Sequence, residues 1–415
     1  MNDEVTENNV IEMPEIDVKE AFESVKLKVE PEQVNEVLTE IVDKSNRKAR
    51  DDLITEDKEK TKELLAEFGS FLETAADIVE ATGTKETVST GIDILDAILG
   101  GGFAIGALNI IIGQPGSGKT MLAIQSLGNA QRQFKEIKER AGLIGCFLDS
   151  EEATTPIRLK NLGVNLAATK MYDDVTVEKV FQLLEGLSVF KREKKILDIP
   201  SMVIWDSIAN TLSQKEREAD DPNTVIGYKA RLLSLLIPKY LAKLAQNNIC
   251  LVAVNQLRDN IQMGQYSPAP DLKFMSASKV MPGGNVLKYN AFQLLDMKIK
   301  TAIKDKEAEK YGFEGIIVTL KCVKNKLFQP NVLIELVGSF VTGFSNFWTN
   351  YNFLKETKRL NSASWCHLVS YPDKRFRTKD ALTLYNENEE FRTHFDKNVK
   401  EAIQIDIVEK YNTIL

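Results

Sequence analysis

Histidine is almost missing from this sequence: His367 and His394 are the only two in 415 residues. That leaves little room for imidazole as a catalytic base or as a metal ligand. Cysteine is nearly as scarce, with Cys146, Cys250, Cys322 and Cys366 scattered along the chain and three of them inside apolar runs. Thiols placed this way fit buried free cysteines in a reducing compartment better than a disulfide framework or a metal cluster. No apolar run approaches the roughly 18 residues that a membrane span needs. The acidic amino terminus lacks the charged-then-apolar order of a secretory signal, so the chain reads as cytoplasmic with no membrane partner.

What is present is the composition of a globular protein, long enough for one large α/β domain with smaller appendages. The formal charge of −7 is unevenly spread, because residues 1–43 hold 13 acidic and 3 basic side chains. The remaining chain is close to neutral, and local basic patches on such a body can meet a polyanion. Residues 1–15 are polar and acidic, a composition that stays unfolded. From Ile16 to Asp43 apolar residues recur at helical spacing on either side of Pro31, which fits an interaction arm or a solvated leader. Lys44 to Arg50 is a basic linker. Lys58 to Glu80 presents Leu64, Leu65, Phe68, Phe71, Leu72, Ala75 and Ile78 at helical period, too apolar for a free tail.

The stretch that organises the chain is Gly113-Gln114-Pro115-Gly116-Ser117-Gly118-Lys119-Thr120. It joins an apolar strand pattern, Ala107 to Ile112, to a helical one beginning at Met121, and that context makes a glycine-rich string a phosphate site. Glycines let backbone N–H groups turn inward around phosphates. Lys119 adds a point charge, Thr120 a hydroxyl for Mg²⁺, and the helix N-terminus its partial positive charge.

Further along, the strand pattern Gly142 to Leu148 runs into Asp149-Ser150-Glu151-Glu152, and Met202 to Trp205 runs into Asp206. Carboxylates at the carboxyl ends of parallel strands lie in the crevice where such sheets bind ligands. At this distance beyond a phosphate loop, Asp206 fits a residue that holds Mg²⁺ through water. A third buried strand, Asn248 to Val254, closes on Asn255-Gln256-Leu257-Arg258. Leu212 to Gly227 has no apolar period and reads as a polar surface loop, followed by a helix that carries Lys229 and Arg231 and that Pro238 interrupts. Asp259 to Pro282 has neither period, and a loop this long inside a domain is a functional one. Tyr266 or Phe274 can wedge between bases there, with Lys273 and Lys279 near phosphates. In Lys321 to Lys326, strand alternation places Lys324 and Lys326 on one face. After Gly343 the pattern predicts a helix from Phe344 to Lys358, a strand at Ala363-Ser364-Trp365, and a closing helix from Asn388 to Ile403. Between the last two, Lys374, Arg375, Arg377 and Lys379 surround Phe376, which fits a patch for duplex DNA or a solvated charged turn.

These stretches together resemble the RecA recombinase family over residues 86 to 403. The carriers are the entry segment Ser89-Thr90-Gly91 with Leu95-Asp96, the phosphate loop, Asn255-Gln256-Leu257-Arg258, Gly283-Gly284-Asn285-Val286-Leu287-Lys288-Tyr289 and Lys324-Asn325-Lys326. The resemblance implies an α/β fold, a RecA-like P-loop ATPase core with a mainly parallel sheet flanked by helices at 86–342. It also implies a helical polymerisation segment at 51–85 behind the leader 1–50, and a small α+β DNA-binding domain at 343–415. It implies ATP and Mg²⁺, with Glu151 orienting the attacking water and Gln256 sensing the γ-phosphate. Lys324 and Lys326 would reach the γ-phosphate of a neighbouring subunit. Implied partners are single-stranded DNA, homologous duplex DNA and further copies of the chain in a helical filament, with a single-strand-binding or mediator protein as a candidate for the acidic leader. DNA contacts would come from the segment 212–227 and its helix (Lys229, Arg231), from Arg258, Tyr266, Phe274 and Lys279, from Gly283, Gly284 and Asn285 in close backbone approach, and from Lys374, Arg375 and Arg377. Lys288 would open a helix at the subunit boundary. Thr155 and Arg158 stand where the family usually has an Asp and a Tyr against adenine. The divergent loops and the leader are similar to those of phage-encoded members. Two other readings share the nucleotide core: a hexameric replicative helicase, against which the Trp365 segment and Gly283 to Lys288 argue, and a recombination mediator that exchanges no strands.

Overall fold

The computed structural model describes residues 85–137, 140–259 and 279–412. The leader, the segment 51–84, Tyr266, Lys273 and Phe274 lie outside the described residues. The chain enters through a small hairpin in which Thr87–Val88 pairs antiparallel with Phe103–Ala104. Between them sits α1 (Asp93–Leu99), which has no N-cap side chain. Its anchor is Asp96, whose carboxylate accepts from Ser89 Oγ at 2.5 Å, Thr90 N at 2.8 Å and Thr90 Oγ1 at 2.7 Å. The entry segment is therefore a hydrogen-bonded knot that fixes where the next strand begins.

That strand, β1 (Ala107–Gly113), is buried at every position. The other strands of the main sheet are β2 (Ile144–Asp149), β3 (Thr169–Tyr172), β4 (Ser201–Asp206), β5 (Ile249–Gln256), β6 (Gln293–Ile303), β7 (Gly315–Asn325), β8 (Leu333–Ser339) and β9 (Gly343–Phe344). Their order is β9-β8-β7-β6-β1-β5-β4-β2-β3, which puts β1 in the middle. From β6 to β3 every pairing is parallel, and β7, β8 and β9 are added antiparallel beyond β6. Continuous apolar strands such as β1, β4 and β5 require cover on both faces. One face is covered by α1 and α2 (Lys119–Gln133), the other by α4 (Val177–Glu193) and α5 (Tyr228–Gln246). Between α2 and α4 the short α3 (Pro156–Asn161) starts on Thr155, whose hydroxyl accepts from Arg158 N. A further short helix, α6 (Asn285–Asn290), precedes β6.

The carboxyl-terminal residues gather their own core around α7 (Asn346–Glu356), a three-stranded sheet and two helices. The strands are β10 (Leu360–Ser362), β11 (Cys366–Leu368) and β12 (Tyr371–Phe376), and the helices are α8 (Ala381–Glu387) and α9 (Glu389–Ile403). Phe347, Trp348, Phe391 and Phe395 fill it, with Phe347 stacked on Phe395 at 5.0 Å. All four cysteines are buried free thiols. Burial pushes Cys250 and Cys322 up to about 12 and Cys146 up to about 11. Among the described residues no helix is long and apolar enough to cross a membrane.

Four local expectations need correction. Gln214–Glu218 is a short helix inside the polar segment, because Ser213 and Glu216 form a reciprocal capping box that outweighs the missing apolar period. Pro238 does not interrupt its helix: α5 runs from Tyr228 to Gln246 with the proline inside. Trp365 lies in the turn between β10 and β11, whose pairing flanks it. Lys288 sits near the end of α6, whose N-cap is Gly284.

One buried amide joins the phosphate-loop helix to the carboxyl-terminal part. Gln125 in α2 donates to Phe344 O at 2.9 Å and accepts from Phe344 N at 2.7 Å. An unpaired buried backbone group costs about 1–3 kcal/mol. Gln125→Leu strands two of them and is expected to lower unfolding stability by about 2–5 kcal/mol, measured by urea titration. An unchanged midpoint would show that the clamp contributes nothing.

Candidate functional site

The phosphate loop is shaped by what its glycines must avoid. A Cβ on Gly113 would lie 2.3 Å from the backbone oxygen of Met297, so β1 and β6 can approach this closely only without one. Gly118 has φ +83° and a Cβ there would meet Phe344 Cζ at 2.8 Å, with left-handed strain besides. Inside the turn the Gln114 carbonyl accepts from Ser117 N at 3.3 Å, Ser117 Oγ at 2.8 Å and Lys119 Nζ at 2.8 Å. Pro115 and Gly116 form the crest of the loop, and α2 begins at Lys119 with its unpaired N–H groups and dipole aimed at the loop. Lys119 is buried; desolvation lowers its pKa, and Asp206 and Glu151 oppose that by charge.

Parallel register aligns the acidic side of the site. Gly113 pairs with Gln256, and Asp149 pairs with Asp206, so these residues all stand at the carboxyl edge of the sheet. Asp149 is a structural residue: its two oxygens accept from Glu151 N at 3.1 Å and Thr154 N at 2.8 Å and hold the turn that presents Glu151. Asp206 is different. Its Oδ1 is buried with no hydrogen-bond partner, while the Thr120 hydroxyl bonds its carboxylate. Burial pushes Asp206 up to about 6, with Glu151 and Asp149 adding to the rise and Thr120 and Lys119 opposing it. An orphaned carboxylate oxygen beside a hydroxyl is a hard-oxygen pair of the kind that suits Mg²⁺.

Glu151 is held through a single oxygen. Its Oε1 accepts from Asn210 Nδ2 at 2.6 Å, Ser207 Oγ at 2.9 Å and Gln256 Nε2 at 3.1 Å. Lys119, Thr120, Glu151, Asp206 and Gln256 line one cavity of about 280 Å³, together with Arg158 and Phe340. Arg158, at the position of the expected adenine contact, is thus in the site. Phe340, 53% exposed between β8 and β9, was missed by sequence reasoning, as were Ser207 and Asn210. No motif marks Phe340, and only the antiparallel return of β7, β8 and β9 brings it beside the phosphate loop. A larger groove, about 870 Å³, lies between β3 and α4 and contains none of these groups.

The residues assigned to DNA fall in separate places. Lys229 donates to the carbonyls of Ile208 at 3.3 Å, Ala209 at 3.0 Å and Thr211 at 3.0 Å, so its ammonium is directed at backbone and not at solvent as expected. Arg231 is exposed on α5. The backbones of Arg258–Asp259 and Lys279–Val280 pair antiparallel. Gly283 packs close to Leu287, Gly284 precedes α6, and Asn285 begins it. Asn255 Nδ2 donates to Pro282 O at 2.8 Å and ties this stretch to the end of β5. Lys324 donates to Lys288 O at 3.0 Å and Tyr289 O at 2.6 Å, while Lys326 lies over the Phe292 ring at 5.6 Å. Lys374 is half-buried and Arg375 exposed on β12, and Arg377 covers Trp365 at 5.3 Å.

Comparison with known proteins agrees with this geometry. The sequence model of the RecA N-terminal domain matches residues 69–345. The protein RecA of Synechocystis sp. is 28% identical over 325 residues, covering 77% of this chain and 82% of its own. RecA of Desulforapulum autotrophicum is 29% identical over 339 residues, covering 81% and 88%. RecA of Rippkaea orientalis is 27% identical over 321 residues, covering 77% and 84%. A phosphate loop at the centre of the sheet, with carboxylates at the neighbouring strand ends and a family match spanning most of the core, leaves one assignment: the chain belongs to the RecA recombinase family.

Proposed function

We propose that this chain is a DNA-dependent ATPase that polymerises on single-stranded DNA and carries out homologous pairing and strand exchange. The observation that carries the reading is the 3.1 Å bond between Gln256 and Glu151. It joins the residue read as γ-phosphate sensor to the residue read as water-orienting carboxylate.

In this mechanism the loop amides and the α2 N-terminus hold the phosphates, and Lys119 turns from the Gln114 carbonyl to a phosphate oxygen. Thr120 and Asp206 would hold Mg²⁺, which neutralises charge on the transferred phosphoryl group when bound. Glu151 orients water for attack through Oε2, the oxygen on which its three donors do not lie. Gln256 is a neutral amide, so it discriminates nucleotide states by hydrogen bonding alone. A γ-phosphate that draws its N–H away from Glu151 also pulls on the start of the segment 257–282. That links nucleotide state to the grip on DNA. Lys324 at the end of β7 and Lys326 just after it lie beyond β6 from the phosphate loop in the strand order, which supports reading them as serving an adjacent copy and not their own site. Arg158 and Phe340 flank the cavity where a base would lie.

Lys119→Ala is expected to lose ATP binding in a fluorescent-nucleotide titration, whereas Glu151→Gln binds ATP with turnover reduced about 100-fold or more, the scale of general-base loss. Strand exchange is read by joint-molecule formation between single-stranded circles and homologous linear duplex. Equal ATPase rates with and without single-stranded DNA would overturn the reading. Replacing Lys324 and Lys326 together by Ala is expected to abolish DNA-stimulated turnover while leaving nucleotide affinity within about twofold, since ~0.4 kcal/mol is what a remote change produces. Undiminished turnover in that variant would rule out a site completed in trans.

A further inference from the structure

We propose that Asn210 and Lys229 form a restraint on Glu151 that a bound polyanion removes, so that the polar segment 212–227 controls hydrolysis through its root. The inference rests on the reading of Glu151 as the water-orienting carboxylate. Directly after β4 the chain folds into a tight turn: Asn210 N and Thr211 N both donate to Ser207 O, at 3.3 and 3.0 Å. Thr211 Oγ1 also donates to Ser207 O at 2.8 Å and accepts from the buried Trp205 Nε1 at 2.7 Å. This turn points the Asn210 amide at Glu151 Oε1, 2.6 Å away and the shortest of the three bonds to that oxygen. Two of the three donors come from the roots of two different polar segments, Asn210 before 212–227 and Gln256 before 257–282.

The other side of the turn faces Lys229. Its ammonium bonds the carbonyls of Ile208, Ala209 and Thr211, and Lys229 lies in the first turn of α5, at the opposite end of the same segment. One cation therefore closes both ends of 212–227 onto the turn that carries Asn210. A phosphate oxygen is a stronger acceptor for an ammonium than a neutral carbonyl is. Arg231, exposed two residues further along α5, adds a second charge to attract such an anion. When Lys229 turns to a phosphate, three carbonyls lose their common donor, the turn loosens and Asn210 leaves Glu151. The carboxylate, freed of its shortest bond, can then follow the water. Lys229 and Asn210 are positioning residues, since neither lines the cavity at the phosphate loop.

The test is steady-state ATP turnover of the full chain, with and without a poly(dT) oligonucleotide, for the unaltered protein, Asn210→Ala and Lys229→Gln. Loss of one hydrogen bond of the restraint is expected to raise DNA-free kcat about fivefold in each variant. The KM for ATP should not change, and the DNA stimulation ratio should shrink accordingly. A DNA-free kcat that stays level or falls, with the stimulation ratio preserved, would overturn the restraint. If Asn210→Ala fails to fold by circular dichroism, Lys229→Gln decides by the same ratio. Absence of ATP turnover in the unaltered protein under both conditions would instead overturn the hydrolysis reading on which the restraint stands.

Discussion

The site depends on parallel register. Because β1, β5, β4 and β2 run side by side in one direction, their last residues come out at one edge of the sheet, Gly113 level with Gln256 and Asp206 level with Asp149, without any loop having to fold back. The fit is tight enough that Gly113 tolerates no side chain against β6. A slip of one residue in any of these strands would turn its final side chain to the opposite face of the sheet. The carboxylate that sits beside Thr120 would then lie among the helices of the other face.

Packing on both faces protects that register, and its two sides have different tasks. The face under α1 and α2 supports the phosphate loop and reaches through Gln125 to β9 and the carboxyl-terminal core. The face under α4 and α5 supports the roots of the polar segments, with Trp205 bridging the sheet and the turn at Thr211. The phosphate loop and the roots of the polar segments thus rest on opposite faces of the same strands, with Glu151 and Gln256 at the shared edge.

Most of this was legible in the sequence where chemistry is encoded by neighbours. A buried strand, a glycine loop and a helix start are contiguous, so the strand–loop–helix at 113–120 could be read directly and Asp206 as a strand-end carboxylate, while Gln256 was singled out only through the family resemblance. The closing helix, expected from Asn388 to Ile403 and found as α9 from Glu389 to Ile403, is local in the same way, whereas the alternation expected to pair Lys324 with Lys326 stops short because β7 ends at Asn325. The capping box at Ser213 and Glu216 was also local, and a scan for Ser-x-x-Glu would have found its helix. What could not be read depends on distant contacts. Asn210 meets Glu151 across 59 residues, and Lys229 meets Ala209 across 20. Phe340 reaches the cavity only because β7 and β8 reverse direction beyond β6. A lysine in a polar context looks solvent-directed until the carbonyls opposite it are known, so the bonds of Lys229 to the turn after β4 were not legible.

The four buried thiols have a practical consequence. A sulfur reacts with alkylating reagents as its anion, and three of these are held as neutral thiols well above neutral pH inside the packed layers. Cys250 and Cys322 lie in β5 and β7, on either side of the central pair, and Cys366 lies in the separate carboxyl-terminal core. Slow modification at each sulfur therefore times the opening of the layer that encloses it. The native chain carries internal clocks for three of its cores, and a cysteine placed on its surface would take a label against a dark background.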